Sequence, residues 1–121
     1  MKMSSLLAAA LAATVLSLAL PADAQEAPKG DAANGKKVFI AKGCFECHGR
    51  AGQGGAFNTA APTLAKTMLP FEGLKGYLRE PTGDMPAYTE KLLSESEVAD
   101  IYTYLQSLPG PRKDVITMMN D

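Results

Sequence analysis

The residues of this chain with the most chemistry stand together, as Cys44-Phe45-Glu46-Cys47-His48. They include both cysteines and the one histidine of its 121 residues. Two thiols on one helical turn can add across two vinyl groups at one edge of a porphyrin, and the imidazole that follows can reach its iron. Cys-x-x-Cys-His is the spacing of covalent c-type haem attachment. Three other readings compete. A thioredoxin-like dithiol needs a βαβ setting and leaves His48 without a role. A structural zinc site needs four ligands, and the chain has three Cys and His residues in all. A Cys44–Cys47 disulfide would tie only a tiny loop.

A histidine-bound iron has a second axial position. With no other histidine, methionine sulfur is the standard alternative, and it raises the reduction potential relative to two histidines. Of the six methionines, Met68, Met85, Met118 and Met119 lie beyond the leader described below. Met85 stands out because Gly83 and Pro86 punctuate its loop, which can hold one side chain inward. Met68 has apolar neighbours and reads as a core packer. The tail pair follows the last helix, and a lysine or an open position are the other options. His48 also needs an acceptor for its Nδ1 proton. The Pro62 carbonyl is a candidate, although an ordinary loop proline would look the same.

The segments that must position these groups read as helices joined by glycine- and proline-rich loops. Lys2 precedes an apolar run from Leu6 to Leu20, followed by Ala22-Asp23-Ala24. This is the pattern of a secretory signal peptide over residues 1–24. The run is short of the roughly 20 residues a spanning helix needs. Residues 25–108 then make one small domain, and 109–121 a polar tail. Asp31 to Lys42 reads as a helix capped by Asp31, with Gly35 inside it either for close approach of another helix or by simple tolerance. Gly49 to Ala61 is a loop whose glycines suit a chain wrapping past a flat ligand. Met68, Leu69, Pro70 and Phe71 form an apolar cluster. Glu72 to Glu80 reads as a short helix with Leu74, Tyr77 and Leu78 on one face, stopped by Pro81. The last helix carries the clearest signals. Ser94 and Glu97 make a capping box, Leu93 and Val98 a staple, and Val98, Ile101, Tyr102 and Leu105 follow helical spacing. No strand pattern is present.

On these residues the chain resembles the small monohaem class I cytochromes c of bacterial periplasms, over roughly Asp31 to Leu108. Cys44, Cys47, His48, the Pro62-x-Leu64 stretch, the Met85-Pro86-Ala87-Tyr88 loop and the final helix carry the resemblance. It implies an all-α fold of three to four helices wrapped around one haem c, attached through Cys44 and Cys47. It implies His48 and Met85 as iron ligands, and the Pro62 carbonyl as acceptor of the imidazole proton. It also implies that the first and last helices cross closely, with Gly35 and Phe39 facing the region of Ile101 to Leu105. The chain departs from the family in having no tryptophan. Aromatic contact to a propionate would fall to Tyr77, Tyr88 or another donor, with Arg79 as a charged partner.

The expected function is single-electron transfer between periplasmic redox proteins, by an electron carrier rather than an enzyme. The partners are a periplasmic or membrane-bound donor and acceptor, with membrane association only transient. Twelve basic against thirteen acidic residues, a formal net charge of −1, argue against nucleic acid or an anionic membrane surface as partner. Phe45, Ala56, Phe57, Ala60 and Ala61 would make a mildly apolar docking patch with weak electrostatic steering. Two alternatives stand beside this reading. One is the electron-accepting subunit of a periplasmic dehydrogenase. The other is a haem enzyme or gas binder with a labile Met85.

Overall fold

The structure, a computed structural model, describes residues 26–110. The leader and the tail methionines Met118 and Met119 lie outside the described residues. Four α-helices follow one another: α1 (Ala32–Ala41), α2 (Cys44–His48), α3 (Phe71–Arg79) and α4 (Glu95–Ser107), with a 3-10 turn at Ala56–Asn58 between α2 and α3. The described residues contain no strand, and no helix among them is long and apolar enough to cross a membrane.

α1 starts where the sequence asks it to. Asp31 is extended, and its carboxylate accepts from the amides of Ala33 and Asn34 at 2.8 and 3.2 Å, which satisfies two amides that a helix start leaves without partners. α4 begins with the full capping box: Glu97 N–H donates to Ser94 Oγ at 3.3 Å, and Ser94 N–H donates to Glu97 Oε2 at 2.8 Å. That bond, the largest influence on the group, holds the Glu97 carboxyl below its ordinary range. Leu93 and Val98, the staple pair, are completely buried.

α1 and α4 cross at backbone contact. A Cβ placed on Gly35 would lie 1.9 Å from the Asp100 carbonyl oxygen and 2.9 Å from the Ile101 nitrogen. Close helix approach, not tolerance, is the reason for this glycine. Beside it Phe39 packs on Tyr104, ring centroids 5.6 Å apart, and both are buried with Val38, Val98, Ile101 and Leu105. Asp100 fastens the crossing: its carboxylate accepts from the Asp31 amide and from Asn34 Nδ2, each at 2.7 Å.

α3 closes the other side of the core with Phe71, Leu74 and Leu78. Lys75 on its outer side bridges Glu72 at 2.8 Å and Glu95 of α4 at 3.1 Å, an exposed arrangement worth little to stability. The apolar patterns differ from expectation in three places. Tyr77 is 38% exposed; α3 begins at Phe71, so the buried stripe runs Phe71, Leu74, Leu78 and leaves Tyr77 to the side. Its hydroxyl is taken up by Thr82. In α4 the ring of Tyr104 fills the core, while Tyr102 is half-buried and donates to the Leu69 carbonyl at 3.2 Å. Met68 is no core packer: it is 99% exposed. Phe71, edge-on to Tyr102 at 5.8 Å, supplies the apolar contact from this segment, and the turn before it projects Met68 outward.

Candidate functional site

Gly43 lies between α1 and α2 with φ of 75°, a left-handed conformation that glycine adopts without steric cost. It lets the chain reverse after Lys42 and start α2 at once. Cys44, Cys47 and His48 therefore share a single short helix, as their spacing requires. Both cysteines are free thiols; Cys44 is half-buried and Cys47 exposed. Burial pushes the Cys44 thiol above its ordinary value.

His48 is buried, with 6% of its surface exposed. Its Nδ1 lies 2.9 Å from the Pro62 carbonyl oxygen. A carbonyl can only accept, so Nδ1 carries the proton and Nε2 keeps its lone pair for a metal. The Pro62 carbonyl is aimed by the glycine loop. Gly54 has φ of 78°, and a Cβ there would meet Ala61 O and the Pro62 carbonyl carbon at 2.8 Å. The Gly54 amide donates to the His48 carbonyl at 2.7 Å, and Leu64 N–H donates to Gly52 O at 2.7 Å. The loop thus lies flat against both His48 and the Pro62 strand of chain. Tyr104 of α4 reaches the same loop through its hydroxyl, which donates to the Arg50 carbonyl at 2.9 Å.

Met85 is half-buried and packs against the hydrophobic core, as do Leu64, Tyr88 and Cys44. Gly83 in its loop has φ of 67°. Met68 and Met85 now differ sharply in setting, the one on the surface and the other against the core. Arg79 and Tyr88, expected as partners of a propionate, each bond to the chain. Arg79 Nη1 donates to the Tyr88 carbonyl at 2.7 Å. Tyr88 N–H donates to the Leu78 carbonyl at 2.8 Å, and its hydroxyl donates to the Lys42 carbonyl at 2.9 Å. The phenol is pushed up to about 12, first by burial and then by the neighbouring Cys44. Nothing in the sequence pointed to these three bonds, since each joins groups that are distant neighbours or backbone.

Around Cys47 the surface is apolar. Phe45, Glu46, Cys47, Phe57 and Thr59 line a shallow depression. Phe57 is 80% exposed and sits at φ of 50°, with Asn58 after it at 59°. Asparagine tolerates this left-handed region and phenylalanine does not favour it. Thr59 braces the turn by donating its hydroxyl to Ala56 O at 2.8 Å. Phe45 is half-buried under the guanidinium of Arg50, 4.7 Å from its ring centroid.

This donor set fits a c-type haem: two free thiols on one turn, a buried imidazole with its Nε2 lone pair free, and a thioether held at the core in a loop tied back to α3. Residues 30–105 match the family described as cytochrome c oxidase, cbb3-type, subunit III. Neither the proteins of curated function nor the solved structures include a match.

Proposed function

The chain belongs to the family described as cytochrome c oxidase, cbb3-type, subunit III, as a small monohaem class I cytochrome c of all-α fold, and we propose that it carries single electrons between redox proteins of the periplasm. A cytochrome c domain implies haem c and haem-mediated electron transfer. Haem iron, when bound, supplies the centre that cycles between its ferric and ferrous states. In our reading Cys44 and Cys47 would hold the macrocycle through thioether bonds, and His48 Nε2 and Met85 Sδ would ligate its iron. The observation that carries it is the His48 Nδ1–Pro62 bond. It fixes the tautomer and ring orientation and makes the imidazole a stronger ligand. Two protein ligands on one iron leave no place for a substrate, which favours a carrier over an enzyme.

The Phe45, Phe57 and Ala60 surface around Cys47 is the proposed docking face for donor and acceptor. Phe57 projects from it, 80% exposed. The near balance of charges supports weak steering, so partner rates should change little with salt. Export by a cleaved leader over residues 1–24 agrees with the oxidising compartment in which thioether-forming thiols are handled.

The test is a set of spectra of the purified holoprotein. Reduced protein should show no shift with carbon monoxide, and Met85→Ala should shift. A wild-type shift with carbon monoxide would instead support gas or peroxide chemistry at an open position. The family's description, which names an oxidase subunit, favours a second reading as a subunit of a larger oxidoreductase. Purification from the native host decides it by whether an enzyme remains bound. A colourless protein, or one whose haem leaves in acidic acetone, would refute covalent attachment altogether.

A further inference from the structure

The loop that carries Met85 is held at its ends and free in its middle. Among the described residues, Gly83 to Ala87 take part in no hydrogen bond with the rest of the chain. At the near end Tyr77 hydroxyl meets Thr82 Oγ1 at 3.0 Å on the exposed surface. At the far end everything converges on Tyr88. Its N–H donates to Leu78 and its carbonyl accepts from Arg79, both at the close of α3. Its hydroxyl donates to Lys42, the residue that caps α1 and stands two positions before Cys44.

The position of that last bond matters. Lys42 and Gly43 form the reversal from which α2 starts, so the phenol joins the Met85 loop to the backbone that places Cys44, Cys47 and His48. We propose that Tyr88 is a positioning residue, clamping the Met85 loop to the entry of α2 and thereby setting how often Met85 leaves the iron. This rests on the reading of Met85 as an axial ligand. The clamp acts on a two-state equilibrium, loop closed with sulfur in place or loop open with the position vacant. An external ligand binds only the open state, so its apparent affinity rises in proportion to the open fraction.

Imidazole is the probe, titrated into the ferric holoprotein and followed together with the far-red charge-transfer band of methionine–iron ligation. Tyr88→Phe removes the hydroxyl and keeps the ring. The loss of one hydrogen bond from the closed state should tighten apparent imidazole binding about threefold to tenfold and weaken the band at lower temperature. Tyr102→Phe is the matched control. It deletes an equivalent hydroxyl-to-carbonyl bond, to Leu69, away from the Met85 loop, and should leave imidazole affinity unchanged. Arg79→Gln, which removes a second tie at Tyr88, should act in the same direction as Tyr88→Phe and stands in for it if that variant does not fold. Equal imidazole affinity in Tyr88→Phe, Arg79→Gln and wild type, with tighter binding in Met85→Ala, would overturn the clamp and leave the ligand assignment intact. A Met85→Ala protein that keeps both the band and the wild-type affinity would overturn the ligand assignment, and the clamp with it.

Discussion

Replacing Gly35 by alanine tests the α1–α4 crossing most sharply. The added Cβ would sit 1.9 Å from Asp100 O and 2.4 Å from its carbon, where ordinary contact begins at 3.4 Å. The deficit is about 1.5 Å, and the obstacle is helix backbone, which cannot turn aside as a side chain can. The helices must part or slide. A radial gap of even 0.5–1 Å forfeits roughly a quarter to a half of each dispersion contact along it, and Phe39, Tyr104, Val98 and Leu105 all line this seam. Overpacking of this kind costs about 1–3 kcal/mol and sometimes more. Alanine returns up to about 1 kcal/mol as a better helix former, so a net loss of about 1–2 kcal/mol is expected, or roughly 4–16 °C in Tm for a domain of this size. Gly76 in α3 is the internal standard, because a Cβ there meets nothing within 4 Å. Gly76→Ala should gain about 0.5–1 kcal/mol by propensity alone. Denaturant unfolding of the holoprotein measures both. A Gly35→Ala protein as stable as Gly76→Ala would refute the backbone-contact argument.

Three other outcomes follow from the site and its scaffold. Gly54→Ala should push the Pro62 carbonyl away from His48, because the new Cβ would lie 2.8 Å from the Pro62 carbonyl carbon at a φ of 78°. The imidazole becomes a poorer donor ligand, so the reduction potential should rise, as read by potentiometry; an unchanged potential would separate the glycine from the ligand. Ser94→Ala should cost about 1 kcal/mol by loss of the cap. The capping box also carries a pH signature. Glu97 binds its proton less readily folded than unfolded, so its stabilisation is complete above the ordinary carboxylate range and is lost as pH falls through the lower folded value. Acid unfolding of Glu97→Gln, which removes the titrating carboxyl, should accordingly show a shallower pH dependence than wild type.

Local signals carried the helices well. The caps at Asp31 and Ser94 are short-range contacts between residues two or three apart, and they fell where their residue types put them. The Cys44-to-His48 stretch is likewise local. Gly35 and Pro62 were ambiguous from the chain alone, since each depends on what comes against it from elsewhere: the Asp100 backbone in one case, the His48 ring in the other. Met68 misled for the same reason. Apolar type predicts burial only where neighbouring elements supply a surface, and Phe71 and Tyr102 had already met. The ties at Tyr88 were not legible at all, because all three of its bonds end on main-chain carbonyls that every residue shares. Ligation by Met85 remains a reading of chemistry and setting, to which the structure adds its place against the core.

The Asp100 fastening of α1 to α4 also bears on the order in which the molecule is made. Asn34 and Asp100 are 66 positions apart, while α2 follows α1 after only Lys42 and Gly43. A chain emerging from its amino terminus offers the two thiols and the imidazole long before the helix that closes the core exists. Contacts of such long range are slow to form because loop closure must come first. The thiols are therefore open to modification during this interval, and Cys47 stays exposed after the final helix has closed the core. Timing of synthesis, as much as geometry, is written into where the chain keeps its cysteines.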